Sequence, residues 1–307
     1  MEKKRYTSVI FNVLDVQCPL PVEIIPGHFI SRADDAMVAH IESFAKIYGD
    51  APISPSPTFR FKNRCVLTPQ STSTKTWSFD PLPRSDWRYY VVEHDAENNV
   101  VNSIPDSIEK VLRFWLILLK DGGGSGGALP ENDGPCPSEL DRLDEQAAAQ
   151  INTLHRKLSV AERQFPEIAR SISLHYDLRR VGIFSPLYDL GLFAIIESVL
   201  THDQKATHDS LTHQLKTKFE LLQPRMNPPI DYGIFGATAK KSKSVIAQVW
   251  EELYSWRSAI AHGDEYSASS RVIPDIATSR RWLRETTKSL LRQALHEPQL
   301  FHDLKRI

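Results

Sequence analysis

Apolar residues recur at three- and four-residue steps through most of the second half of the chain, the spacing of helices that bury one face. Leu140, Leu143, Ala147, Ile151, Leu154, Leu158, Ala161 and Phe165 predict one long amphipathic helix stopped by Pro166. Glu167 to Arg180 continues helically until Gly182. Ser185 to Leu200 has Ser185 as its cap and Pro186 at its first position. It is apolar nearly all round, which predicts a central helix. Ser210 to Leu222 is amphipathic and ends before Pro224. Lys243 to His262 gathers Val245, Val249, Leu253, Trp256 and Ile260 on one side and is closed by Gly263. Ala277 to His296 aligns Leu283, Thr287, Leu290 and Ala294, with Pro298 following. Helices of this kind with short connections predict a bundle.

The first part reads differently. Thr7 to Val16, Phe59 to Leu67 and Trp87 to Glu93 are alternating or rich in β-branched and aromatic residues, and predict strands. Asp34 to Tyr48 predicts a helix capped by Ser31 or Asp34 and ended by Gly49. A second helix is expected from Ser103 to Lys120. Prolines at 51–57 and 81–83 mark loops. The stretch DGGGSGGALPENDGPCP, Asp121 to Pro137, has the composition of a linker. The expected organisation is an α+β domain over residues 1–120, a linker over 121–138 and a mostly α-helical domain over 139–307.

Composition narrows the function classes. With 41% hydrophobic and 24% charged residues the chain reads as an ordinary globular protein, and its net charge of −1 gives no overall pull toward nucleic acid or anionic membrane. Cys18, Cys65 and Cys136 are too scattered for a disulfide framework or a zinc site. The N-terminal residues lack a signal-peptide pattern, and the longest apolar run is too short for a bilayer, so a cytoplasmic protein is expected.

The candidate chemistry lies at the end of the fifth helical segment of this half, in Tyr254, Ser255, Trp256, Arg257, Ser258, Ala259, Ile260, Ala261, His262 and Gly263. A histidine titrates near neutral pH and serves as general base or acid. An arginine offers planar, permanent donors to phosphate oxygens and to the charge that grows on them. RNA carries its own nucleophile, the 2′-hydroxyl, so this pair would need no metal. An alternative is purely structural: Arg257 paired with Glu252 or Asp264, and His262 favoured at a helix C-terminus by the dipole.

This segment resembles the HEPN superfamily and, within it, the Apea-like branch, in which an arginine, a polar residue and a histidine close a helix. The match is Arg257, Ser258 and His262, supported by LYDLGLFAIIESVL with Glu197 and by LTHQLKTKFELL. The resemblance covers Glu167 to His296. It implies a HEPN-type helical bundle and a metal-independent endoribonuclease, a bacterial defence or toxin effector. Arg257 and His262 would be catalytic, and Ser258, Glu197 and Tyr254 supporting. The other implied reading is a non-catalytic scaffold that dimerises and binds a partner protein or nucleotide. Relatives commonly dimerise with their motifs facing, which implies a homodimer here. GHFISRADDAMVAHIESF and IEKVLRFWLILLK resemble the variable regions that precede such domains, and imply a sensor or regulatory role without naming a ligand.

Geometry qualifies the pair. Residues five apart on a regular helix lie about 140° apart around its axis, so Arg257 and His262 do not share a face. Either the last turn loosens toward Gly263 or a second chain completes the site. Glu197 is read as the one acidic group on the inner half of its helix, either a buried partner of Arg257 or solvent-facing.

Lys240, Lys241 and Lys243 precede the motif helix, and Arg281, Arg284, Lys288 and Arg292 form a basic stripe. These are candidate RNA-backbone contacts, although charges from Ser185 onward nearly cancel and a solvated helix face is the better reading of the stripe. His202, His208 and His213 do not stack on a helix face, so no metal is expected, and no cofactor motif is present. Trp77, Trp87, Tyr89 and Tyr90 suit either base stacking or the core of a small sheet, the latter being the simpler reading.

Overall fold

The computed structural model describes residues 6–10, 14–47, 58–67, 73–95, 116–120, 123–125, 141–178, 181–202, 210–235, 244–266, 272–273 and 275–306. The chain divides into two compact units, residues 1–106 with 110–155 and residues 107–109 with 156–307. The first is a small sheet region and the second is mostly helical. Among the described residues no helix is long and apolar enough to cross a membrane.

The elements of the first unit are β1 (Tyr6–Ile10), β2 (Leu14–Val16), β3 (Val22–Ile25), β4 (His28–Arg32), α1 (Asp35–Ile47), β5 (Phe59–Leu67), β6 (Ser73–Pro81), β7 (Tyr90–His94), β8 (Leu116–Lys120), β9 (Gly123–Ser125) and β10 (Asp141–Leu143). Six of them form an antiparallel sheet in the order β3-β4-β7-β1-β8-β9. β5 and β6 make a separate hairpin, and β10 runs parallel to β2.

Helix α1 starts where Asp34 turns its carboxylate back to the Met37 N–H at 2.8 Å, a side-chain cap. Val38 and Ile41 of this helix pack on Val9, Tyr89 and Val91, with Ala33, Met37 and Trp87 at the margin. Tyr89 is thus buried, Tyr90 is buried on the other face of the sheet, and Trp87 is held by a 3.1 Å bond to the Leu82 carbonyl, which favours the sheet core over a base-stacking platform; the Trp77 side chain lies outside the described residues. On the opposite face Tyr6, His94 and His28 stand in register across β1, β7 and β4. Their rings stack at 5.9 and 5.2 Å, and the Ser8 hydroxyl meets His94 Nε2 at 3.0 Å.

Several expected elements change. The strand expected over Thr7 to Val16 is two strands, β1 and β2. The helix expected through Lys120 is instead β8 over Leu116–Lys120; a short continuous apolar run fits a strand as well as a helix, and sheet pairing with β1 decides. Its earlier part, 101–115, lies outside the described residues. Gly123–Ser125, within the glycine-rich stretch, pairs as β9. The long helix expected from Leu140 begins only at Glu145, because Asp144 caps it through the Ala147 N–H at 2.9 Å and the residues before it join β2.

The helices are α2 (Glu145–Gln164), α3 (Pro166–Leu178), α4 (Pro186–Leu200), α5 (Leu211–Leu222), α6 (Val245–His262), α7 (Ile276–His296) and α8 (Pro298–Leu304). Helix α4 is central and touches α3, α5, α6, α7 and α8. Its cap is Ser185, which accepts the Leu187 N–H at 3.2 Å, with Pro186 next. Close approach of α3 depends on Gly191, where a Cβ would stand 2.3 Å from Leu178 Cδ1. The core between α5, α6 and α7 is aromatic: Phe219 stacks on Trp250 at 4.2 Å, and Trp250 meets Trp282 at 5.9 Å. Buried indole N–H groups need acceptors, and these find the Tyr232 hydroxyl and the Asp231 carbonyl. Pro298, which follows α7, opens α8, since proline suits the first turn of a helix.

Candidate functional site

Helix α6 carries the candidate pair, and its two ends are fixed by local chemistry. Ser244 accepts the Ala247 N–H at 3.1 Å at its start. At its end Gly263 adopts φ 75°, donating to the Ile260 carbonyl at 3.2 Å while Asp264 donates to that of Ala259 at 2.9 Å. This pair of bonds is the glycine-closed ending that leaves a helix regular up to its last residue. A loosened final turn is therefore not what brings Arg257 and His262 together. His262 and Ser258 are exposed, and neither makes a side-chain hydrogen bond among the described residues.

Arg257 turns the other way, onto α4. Its Nε donates to Glu197 Oε1 at 3.2 Å and its Nη2 reaches Oε2 at 3.5 Å. Glu197 Oε1 also accepts the Tyr254 hydroxyl at 2.6 Å. Tyr254 and Arg257 stand three apart on α6, so one helix face presents both to the same carboxylate. Phe193, one turn before Glu197, packs edge-on against Tyr254 at 6.0 Å and Trp256 at 5.8 Å. Burial raises the Tyr254 hydroxyl far above the ordinary tyrosine range. The hydrogen bond to Glu197 and its charge act in the same sense, against a smaller opposing effect of Arg257. Tyr254 is therefore a fixed donor. Side-chain exposure is 33% for Arg257 and 16% for Glu197, so the guanidinium keeps an edge toward water.

The structural alternatives for Arg257 are not realised: Glu252 accepts the Tyr266 hydroxyl at 2.6 Å, and Asp264 is exposed. Glu197 is not the sole acid on the inner side of α4. Asp189, 1% exposed, takes Arg280 of α7 in a two-bond fork at 2.6 and 2.7 Å. The signal for it was in the sequence, because an acid on a helix apolar all round requires a buried cation.

The basic stripe of α7 is only partly available. Arg281 is exposed, but the side chains of Arg284 and Lys288 are 12% and 14% exposed and share Glu285 at 3.4 and 3.5 Å. Arg292 reaches the Ser289 hydroxyl at 3.4 Å. Lys240, Lys241 and Lys243 lie outside the described residues, as does His208. His202 packs at the end of α4, where the buried Lys218 ammonium donates to the Leu200 carbonyl at 2.7 Å and approaches His202 Nδ1 at 3.3 Å. Among the described residues no cluster of three or more His, Cys, Asp or Glu is arranged for a metal ion.

What the arrangement can do follows from its parts. A guanidinium anchored along one edge, with its outer edge near water, can receive a phosphate oxygen. An exposed imidazole on the same helix, on another side, can exchange protons with a molecule bound there. Comparison of the chain with family models, with curated proteins and with solved structures found no match to any of the three.

Proposed function

We propose that the helical unit is a HEPN-type bundle acting as a metal-independent endoribonuclease, with Arg257 and His262 as its working residues and RNA as substrate. The observation that carries this reading is the Tyr254–Glu197–Arg257 cluster, which holds a partly exposed arginine between α4 and α6. In this reading Arg257 steadies the phosphate and the charge developing on it, and His262 moves the proton of the attacking 2′-hydroxyl. The products are a 2′,3′-cyclic phosphate and a 5′-hydroxyl end. Because α6 stays regular to Gly263, the two residues act together across two copies of the chain, so the reading includes a homodimer with facing motifs. The sheet unit would restrain or trigger the nuclease, in keeping with a defence or toxin effector in the cytoplasm.

The test is RNA cleavage by the full chain, Arg257→Ala and His262→Ala, each with EDTA. Loss of a general acid or base lowers the rate by ~10²–10⁴-fold. Cleavage unchanged in both variants removes the assignment, and cleavage abolished by EDTA removes the metal-free mechanism.

A second reading has its own observation. Arg257 already has its carboxylate partner, and His262 stands apart from it, which suits a non-catalytic scaffold that dimerises and binds a partner protein or nucleotide. A dimer in sedimentation with no cleavage of any RNA length class would favour it.

A further inference from the structure

The sheet unit holds a guanidinium that nothing in its surroundings explains. Arg88 lies two residues before the start of β7, and its Nη1 is shut off from water without a hydrogen-bond partner. Among the described residues no ion pair or side-chain hydrogen bond engages Arg88 at all, whereas nearby Arg84 pairs with Asp35 at 2.8 Å and lies 4.9 Å over the Trp87 ring. Buried donors in native proteins are almost always satisfied, and a charged one left bare is costly.

Its neighbours follow from strand register. Arg32, the last residue of β4, is the Cα partner of Tyr90, and the Ala33 N–H bonds the Tyr89 carbonyl at 3.0 Å. Alternation along the chain puts Arg88 on the Tyr90 side of the sheet, the same side as Arg32. Arg32 is held there by an Nη1 bond to the Ser85 carbonyl. Burial raises the Tyr90 hydroxyl, while the charges of Arg32 and Arg88 and a hydrogen bond with Arg32 act to lower it, and Asp15 to raise it. Two guanidinium groups and a phenol thus converge on one patch.

Two carboxylates border it, and both are engaged elsewhere. Asp34, one step further along the register, caps α1 through the Met37 N–H at 2.8 Å. Asp15 accepts the Gln17 amide at 2.8 Å. Neither satisfies Arg88. These acids also disfavour a long polyanion, which would have to pass over them, and so favour a ligand with a single phosphoryl group.

We infer that Arg88, with Arg32 and Tyr90, forms a binding site for the phosphoryl group of a small phosphorylated ligand. The Arg88 fork supplies two parallel donors to phosphate oxygens, Arg32 adds charge from the facing strand, and the Tyr90 hydroxyl donates a further bond. This inference concerns the sheet unit alone and does not depend on nuclease activity in the helical unit.

The test is calorimetric titration of the full chain with inorganic phosphate and with inorganic pyrophosphate at matched ionic strength. Saturable one-to-one binding of either is expected, weakened by about tenfold or more in Arg88→Met. Arg84→Met should bind as the parent does. Arg88→Lys keeps the charge and loses the fork, and should also weaken binding; it keeps the test open if the methionine variant does not fold. Absence of binding by the parent chain, or binding by both Arg88 variants as tight as the parent's, overturns the inference. So does single-stranded RNA binding that depends on Arg88 while both inorganic probes fail to bind.

Discussion

Glu197 takes both Nε and Nη2 of Arg257 on its two carboxylate oxygens, at 3.2 and 3.5 Å, while the Tyr254 hydroxyl shares the nearer oxygen. The acid therefore sets the rotation of the guanidinium plane rather than merely balancing its charge. Glu197→Gln keeps the shape but removes one acceptor, so Arg257 loses its fixed orientation. If Arg257 contacts the scissile phosphate, RNA cleavage falls by ~10–100-fold with secondary structure unchanged, since small misplacements of a positioned group cost that much. Steady-state cleavage together with circular dichroism checks this, and an unchanged rate means that Glu197 does not position Arg257 for catalysis.

Gly191 offers a stability test of how α3 and α4 meet. A methyl there would stand 2.3 Å from Leu178 Cδ1, so Gly191→Ala forces Leu178 to move. The overpacking cost is about 1–3 kcal/mol. A lower urea midpoint is expected, and the double variant with Leu178→Ala should recover part of the loss.

The Asp189–Arg280 fork predicts a larger effect. Arg280→Ala leaves a carboxylate that is 1% exposed without its cation. Removing one member of a buried pair costs about 3–5 kcal/mol. Replacing both by a methionine and a leucine should cost much less, and denaturant curves of the three proteins separate the two cases.

A pH prediction comes from Glu167, which accepts His302 Nδ1 at 2.8 Å. Burial acts to raise this carboxyl, but the bond from His302, a backbone bond and the charges of His302 and Lys305 outweigh it, and the group lies below its ordinary 4.5. An acid depressed in the folded state contributes stability above its unfolded value and loses it as pH falls through the folded one. The contribution is therefore present above about 4.5 and fades below it. His302→Ala should raise the Glu167 titration, followed by carboxyl NMR, and reduce this part of the acid sensitivity.

How much of this was legible in the sequence depends on the range of the interaction. Ser185 and Gly263 act within a few residues of themselves, so the start of α4 and the end of α6 could be read directly. The run Leu116–Lys120 could not, because only a bond to β1, more than a hundred residues earlier, distinguishes its strand from a helix. The regular end of α6 was one of two options left open by spacing, and the backbone bonds of Gly263 and Asp264 select it. Asp189 carried a readable signal, an acid where the helix is apolar all round, yet its partner Arg280 lies on a helix ninety residues away.

Asp189 and Glu197 are two turns apart on α4, about 12 Å along its axis. Each fastens a different neighbour, Asp189 to α7 and Glu197 to α6. The two fastenings differ in wetness, with Arg280 at 17% exposure and Arg257 at 33%. The bundle thus separates the charge it needs to stand up from the charge it can lend. Arg257 can be withdrawn toward an incoming anion while α7 stays docked, so engagement at one end of α4 need not loosen the other.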